Sequence, residues 1–175
     1  QKNDRGLNQR CGFRGILMIT NYLTFVVENT AYAVDVAAVL EVLNFTEPTA
    51  VPCALPYIEG LIFSRESGIT VLNFRKRFNM REKEIDSKTK VIVIEMNFMD
   101  EENNPKKRLY GLVADSVQDV IQIYDDAEEI KDAKNEIPDE FILKVLKYQD
   151  KPLFIIDEKK LFEEARSVKI PEQNP

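Results

Sequence analysis

The chain has 175 residues, 44% of them hydrophobic and 31% charged, with a net charge of −6, two cysteines, no histidine and no tryptophan. That is enough apolar material for one core or two packed halves, while the acidic balance argues against a nucleic-acid partner, whose phosphates need clustered Lys and Arg. Without histidine the commonest general base and metal ligand is missing, and the longest apolar runs fall far short of the roughly 20 residues a helix needs to cross a bilayer, so a soluble cytoplasmic protein with no membrane insertion is expected.

Residues 1–18 read as a tail that joins the fold near Ile19. Tyr22 to Val27, the turn Glu28-Asn29-Thr30, and Ala31 to Val34 predict a hairpin, with apolar and β-branched residues bracketing a polar turn. Asp35 stands where an N-cap would, and Val36, Val39, Leu40 and Leu43 follow at helical spacing, which predicts a short amphipathic helix over 35–43. Pro48, Pro52 and Pro56 confine 45–57 to loop and edge strand. Strands over Ile58 to Phe63 and Ile69 to Phe74 flank a turn and lead into a basic helical turn ending near Asn79; the charged stretch 81–90 is a joint.

Lys90 to Met96 is a nearly continuous apolar run, as in a strand covered on both faces. Asn97 to Arg108, punctuated by Asn103-Asn104-Pro105, reads as an extended hairpin loop. Tyr110 to Ala114 and Val117 to Ile123 are strands bent at Asp115-Ser116, 124–139 is acidic and irregular, and a strand pair with a helix over 157–165 closes the fold. The basic runs 75–77 and 106–108 read as solvated faces.

One plan occurs twice. Tyr57 to Phe78 and Phe141 to Phe162 each run from an aromatic through an apolar stretch, a polar turn and a second apolar stretch to an Asn or Asp, a basic step and a closing Phe. Upstream, Tyr32 to Leu43 and Tyr110 to Ile121 also echo each other, ending in V-x-[ED]-V. Such self-similarity marks a duplicated supersecondary unit that buries its faces against its copy. Short strands at this spacing, with only short helices, predict a mainly β fold of small barrels or sandwiches.

Catalytic motifs are absent: there is no G-x-S-x-G, phosphate-cradling loop or dinucleotide fingerprint. The acidic clusters 100–102, 125–126 and 128–129 lack the alternating ligands of a calcium loop and read as solvated surface. Cys11 and Cys53 have no metal-ligand spacing and are expected as free thiols. No enzyme activity, metal or cofactor is expected.

With Tyr22-Leu23-Thr24-Phe25, the 32–42 segment, Gly60-Leu61-Ile62 with Arg65 in the next turn, G-L-V-A-D-S-V-Q-D-V from Gly111, and I-L-K-V-L-K-Y-Q-D-K-P-L-F-I-I-D from Ile142, the chain resembles the bacterial chemotaxis coupling proteins of the CheW family. The resemblance covers about Ile19 to Ala165. It implies a CheW-like domain over 19–166, two SH3-like five-stranded β barrels at roughly 19–80 and 88–157 with possible strand exchange, a short C-terminal helix, and tails at 1–18 and 167–175. The implied role is a non-catalytic adaptor, recruited to membrane-associated receptor arrays, that couples the cytoplasmic tip of chemoreceptors to the regulatory domain of the histidine kinase CheA. Val39, Glu41, Arg65 and Val120 would match the family's receptor-binding positions, and Ile58 and Gly60 its kinase-binding surface.

Each has a plainer alternative: Val39 and Val120 sit in apolar stripes, Arg65 could pair internally with Glu66 or Glu41, and Gly60 could serve backbone packing alone. The chain departs from the family in Phe63-Ser64-Arg65-Glu66, in Thr70 for a usual Pro, in Lys144 for a Gly, and in a longer 97–109 loop. Rival readings are a fragment of the CheA regulatory domain or of an adaptor-receiver fusion, an SH3-like module for proline-rich peptides, and a metal-assisted hydrolase built on the acidic loops.

Overall fold

The computed structural model describes residues 16–167, so that Cys11 and, but for 16–18 and 167, both expected tails lie outside it. In chain order the elements are β1 (Ile19–Val27), β2 (Thr30–Asp35), β3 (Val39–Asn44), β4 (Ile58–Ser64), β5 (Ser67–Asn73), α1 (Phe74–Arg77), β6 (Lys90–Met99), β7 (Pro105–Ala114), β8 (Ser116–Tyr124), β9 (Ile142–Tyr148), β10 (Lys151–Ile156) and α2 (Glu158–Phe162). The strands form two five-stranded sheets, ordered β8-β1-β2-β10-β9 and β3-β6-β7-β5-β4.

Replacing each of β1 to β5 by the strand five places later, and the reverse, turns the first order into the second. Each repeat therefore puts its first two strands in one barrel and its last three in the other, and neither barrel is a contiguous half of the chain. Four pairings join the repeats: antiparallel β1 with β8 and β3 with β6, and parallel β2 with β10 and β5 with β7. Details repeat as well: the Asn73 N–H donates to the Tyr57 carbonyl and the Asp157 N–H to the Phe141 carbonyl, both at 2.9 Å. Asn73 and Asp157 then cap α1 and α2 by accepting from the Lys76 and Lys160 N–H groups.

Doubly apolar strands divide their side chains between cores. On β6, Val91 and Val93 fill the second barrel while Ile92 and Ile94 face the seam between barrels; on β10, Leu153 and Ile155 fill the first barrel while Phe154 and Ile156 face the seam. The seam is aromatic. Tyr32 of β2 packs on Phe74 of α1 with ring centroids 4.9 Å apart, and its counterpart Tyr110 of β7 stacks on Phe162 of α2 at 4.7 Å.

Three local expectations are corrected. No helix spans 35–43: Asp35 does cap, accepting from the Ala37 N–H, but only a 3-10 turn over Val36–Ala38 follows before β3 begins. The apolar residues of V-L-E-V-L-N are spaced i, i+1, i+3 and i+4, as in a helix, and pairing with β6 overrides that local preference. The segment 97–108 is mostly ladder, since β6 and β7 stay paired as far as Met99 and Pro105. Nor is the run 75–77 a solvated face, because the Arg75 and Arg77 side chains are largely buried.

Arg75 grips the Asp115 carboxylate with Nε at 3.0 Å and Nη2 at 2.6 Å, Glu28 lies 3.6 Å from its Nη1, and its Nη1 also donates to the Arg81 carbonyl. Arg77 lies over the rings of Tyr57, at 4.7 Å, and Phe141, at 4.9 Å, the two residues that open the matching segments 57–78 and 141–162. Burial pushes the Asp115 carboxyl up, but the hydrogen bonds from Arg75 and the Glu28 N–H outweigh it and hold the group below its ordinary value. A depressed carboxyl stabilises the fold above its unfolded value and loses that contribution as pH falls through the folded one. Asp115→Asn should therefore flatten the fall in Tm below about pH 4; an acid limb as steep as that of the wild type would show that the Arg75 pair contributes nothing.

Candidate functional site

β3 and β4 are the outer strands of the second barrel. The period-2 pattern of β3 turns Val39, Glu41 and Leu43 partly inward and leaves Leu40 and Val42 exposed; on β4, Phe63 is exposed as well. The β4–β5 turn is Arg65-Glu66, with both residues at positive φ (50° and 67°), the tight two-residue geometry that suits the twist of a hairpin. Gln149-Asp150, between β9 and β10, has the same geometry at the equivalent point of the second repeat.

Glu41 and Arg65 are brought together. Glu41 accepts from the Ser64 hydroxyl at 3.0 Å, and Arg65 approaches its carboxylate at 3.8 Å. The Arg65 side chain is 87% exposed and that of Glu41 21%. A pair this open and this long contributes well under about 1 kcal/mol, so the guanidinium can turn to an incoming acceptor at small cost. Arg65 and Glu41 thus share one corner of the barrel, with a releasable cation, while Leu40 and Val42 are exposed on the other face of β3 and Phe63 on β4.

The remaining expected positions lie elsewhere. Val39 is half-buried and packs against the seam. Val120 is 57% exposed on β8, the counterpart of β3 in the other barrel, opposite Leu23 of β1. Ile58 is buried in the seam, paired with Leu72. Gly60 has φ +142°, and a Cβ there would sit 2.2 Å from the Thr49 carbonyl oxygen. That carbonyl accepts from the Leu61 N–H and the Thr49 N–H donates to the Leu61 carbonyl, both at 2.8 Å, so the bare backbone of Gly60 lets the 49 segment bridge β4.

Leu40, Val42 and Phe63 were not anticipated as surface residues. Burial alternates along β3 and so exposes the first two, but the sequence, apolar at 39, 40, 42 and 43, carries no such alternation. Among the described residues no group of three or more His, Cys, Asp or Glu could hold a metal ion, and no helix is long and apolar enough to cross a membrane.

Residues 21–166 match the family model for the CheW-like domain. Chemotaxis protein CheW of Bacillus subtilis (strain 168) is 29% identical over 153 residues, 86% of this chain and 92% of its own length. Chemotaxis protein CheW of Treponema pallidum (strain Nichols) is 26% identical over 143 residues, 80% of each. Among solved structures, the scaffolding protein TtCheW from Thermoanaerobacter tengcongensis superposes with a TM-score of 0.69 at 27% identity, covering 83% of this chain and 94% of that one.

Proposed function

The chain belongs to the CheW-like domain family, and we propose that it is a non-catalytic chemotaxis adaptor that couples the cytoplasmic tip of chemoreceptors to the regulatory domain of the histidine kinase CheA. The family match, which runs through both barrels from residue 21 to 166, carries this reading. Similarity to a scaffolding protein supports it.

The receptor surface would be the corner around Arg65, with Glu41 as the residue that parks the guanidinium, continued by the exposed Leu40 and Val42 of β3 and Phe63 of β4. Val39 would shape that surface from below, and the exposed Val120 would extend it onto the first barrel. The kinase surface would lie along β4, where Ile58 acts through its packing and Gly60 by admitting the Thr49 bridge, rather than by presenting side chains. Transient signalling contacts of this kind are expected to be small and near micromolar.

Capture by an immobilised receptor tip and by the immobilised kinase regulatory domain tests the reading. Arg65→Glu reverses an exposed charge and puts it against Glu41, so it should cut receptor capture by about tenfold or more, as losing a charge-assisted contact does, and leave kinase capture unchanged. Wild-type protein captured by neither bait would end the proposal.

A further inference from the structure

The two repeats differ in their first hairpin. In the first repeat, β1 and β2 pair as far as Val27 with Thr30 and turn at once through Glu28 and Asn29, both at positive φ. Tyr32 and Tyr110 match in the repeats and pair with Phe25 and Ile94, so the same point in the second repeat is Met96 with Arg108. There β6 and β7 run on, pairing Asn97 with Lys107, Phe98 with Lys106 and Met99 with Pro105 before they turn. The added ribbon is an arm that a barrel closes without, since its counterpart lacks it. One face of the arm is braced: the Arg108 and Arg166 guanidinium groups lie 5.4 and 5.3 Å from the centre of the Phe98 ring, and Arg108 donates to the Arg166 carbonyl at 2.8 Å.

Of the arm's two edges only one is protected. Along β7 come Pro105, which has no N–H to offer, and then Lys106, Lys107 and Arg108, the kinds of residue with which native sheets blunt an open strand. Pairing with β5 begins just beyond them, at Leu109. On the other side, β3 covers β6 only as far as Ile94, opposite Val39. Over 96–99, β6 has no lysine or proline and no backbone partner but β7 among the described residues. In an antiparallel strand every second residue turns both its N–H and its carbonyl to the same side, so this stretch presents donors and acceptors to an incoming chain. A cleft of about 260 Å³ lies on that side, between Glu95, Met96 and Asn97 and the turn at Ala37 and Ala38 that leads into β3.

We propose that the free edge of the β6 arm takes up an extended segment of a partner protein as an added strand, and that the segment alternates basic and apolar residues. Strand addition needs an open edge, which 96–99 offers. Charge then selects the partner. Carboxylates dominate both ends of this edge: Asp35, Glu95 and Glu158 against Lys159 around the cleft, and Asp100, Glu101 and Glu102 against Lys106 at the tip. Glu95 also has Lys107 at 2.8 Å. Because side chains alternate along a strand, Glu95, Asn97 and Met99 share one face of β6 and Met96 and Phe98 the other. An added strand would set its basic side chains beside the first face and its apolar ones beside Phe98, where Arg108 and Arg166 already supply positive charge. A second copy of this chain would instead bring like acidic ends together. The inference goes beyond the adaptor reading and does not rest on it.

The test is amide hydrogen exchange and NMR titration of the full chain with a capped peptide of alternating lysine and valine. Beside it run the same peptide N-methylated at every residue and one with glutamate in place of lysine. In the free chain the edge-facing amides of 96–99 should exchange faster than those bonded to β7, and the lysine peptide should slow them and shift the amides of Ala37 and Ala38. N-methylation removes the peptide's donors and glutamate reverses its charge, and each should weaken binding about tenfold. Replacing 97–107 by the Glu-Asn turn of the first repeat should abolish binding and leave the barrel amides in place. Met99→Lys, on a side chain of a residue 59% exposed, should weaken it severalfold by protecting this edge as Lys106 protects β7. Equal binding of the three peptides, shifts confined to other regions, or no shifts at all would overturn the proposal. So would slow exchange at 96–99 that grows with concentration of the free chain, which would give the edge to a second copy. Neither kinase nor receptor enters the titration, so its failure leaves the adaptor reading standing, and failure of receptor and kinase capture leaves the strand site standing.

Discussion

Phe74→Ala should cost the fold about 3–5 kcal/mol, the range for deleting a fully buried phenylalanine and leaving a cavity. The ring has no exposed surface. Its centroid lies 5.9 Å from Phe25 on β1, 4.9 Å from Tyr32 on β2 and 5.0 Å from Phe78, just beyond its own helix. The first two belong to one barrel and α1 follows the last strand to enter the other, so the cavity would open at the seam. Surrounding strands are tied in ladders on both sides and can collapse into it only partly. Urea denaturation should show one transition at lower midpoint with both barrels melting together, since each is built from strands of both repeats. A loss under about 1.5 kcal/mol would mean that the seam repacks freely and does not hold the barrels together.

Gly60→Ala should be nearly as damaging, by about 3 kcal/mol, although it adds a single methyl group. A φ of +142° is open to glycine but costs other residues roughly 1–3 kcal/mol. The new Cβ would also stand 2.2 Å from the Thr49 carbonyl oxygen and 2.6 Å from its carbon, which forces the 49 segment off β4 and breaks its two hydrogen bonds to Leu61, each contributing about 1 kcal/mol. Hydrogen exchange should accelerate at the Thr49 and Leu61 amides before the rest of the barrel. Gly68→Ala is the control: its Cβ would meet only the Phe63 ring, at an ordinary 3.5 Å, and the change should stay within about 1 kcal/mol. If Gly60→Ala kept both stability and those protected amides, the close approach would not be needed.

The duplication was legible because it is written locally: an aromatic, two apolar runs, a capping Asn73 or Asp157 and a basic step recur in order, and each maps to strand, turn, strand and helix. The exchange of strands between barrels was named only through the family resemblance, because β2–β10 and β5–β7 pair residues far apart in sequence without any local mark. Burial of Arg75 was hidden for the same reason: its partner Asp115 is 40 residues away, and a basic run by itself looks solvated. The helix expected over 35–43 failed because the ladder with β6 overrides a helical apolar spacing, while the N-cap that prompted it was real.

For the candidate surface, the roles given to Val39, Glu41, Arg65, Val120, Ile58 and Gly60 all came from family resemblance, and only for Arg65 did the residue type and its place in a turn add a physical reason. Exposure of Leu40, Val42 and Phe63 emerged once the β3 ladder was known.

An adaptor must hold both partners at once. Sedimentation of the full chain mixed with a receptor-tip fragment and the kinase regulatory domain should give a three-component species, with each partner leaving the affinity for the other unchanged or higher. Competition, in which saturating kinase domain displaces the receptor fragment, would contradict two separate docking faces on one pair of exchanged barrels.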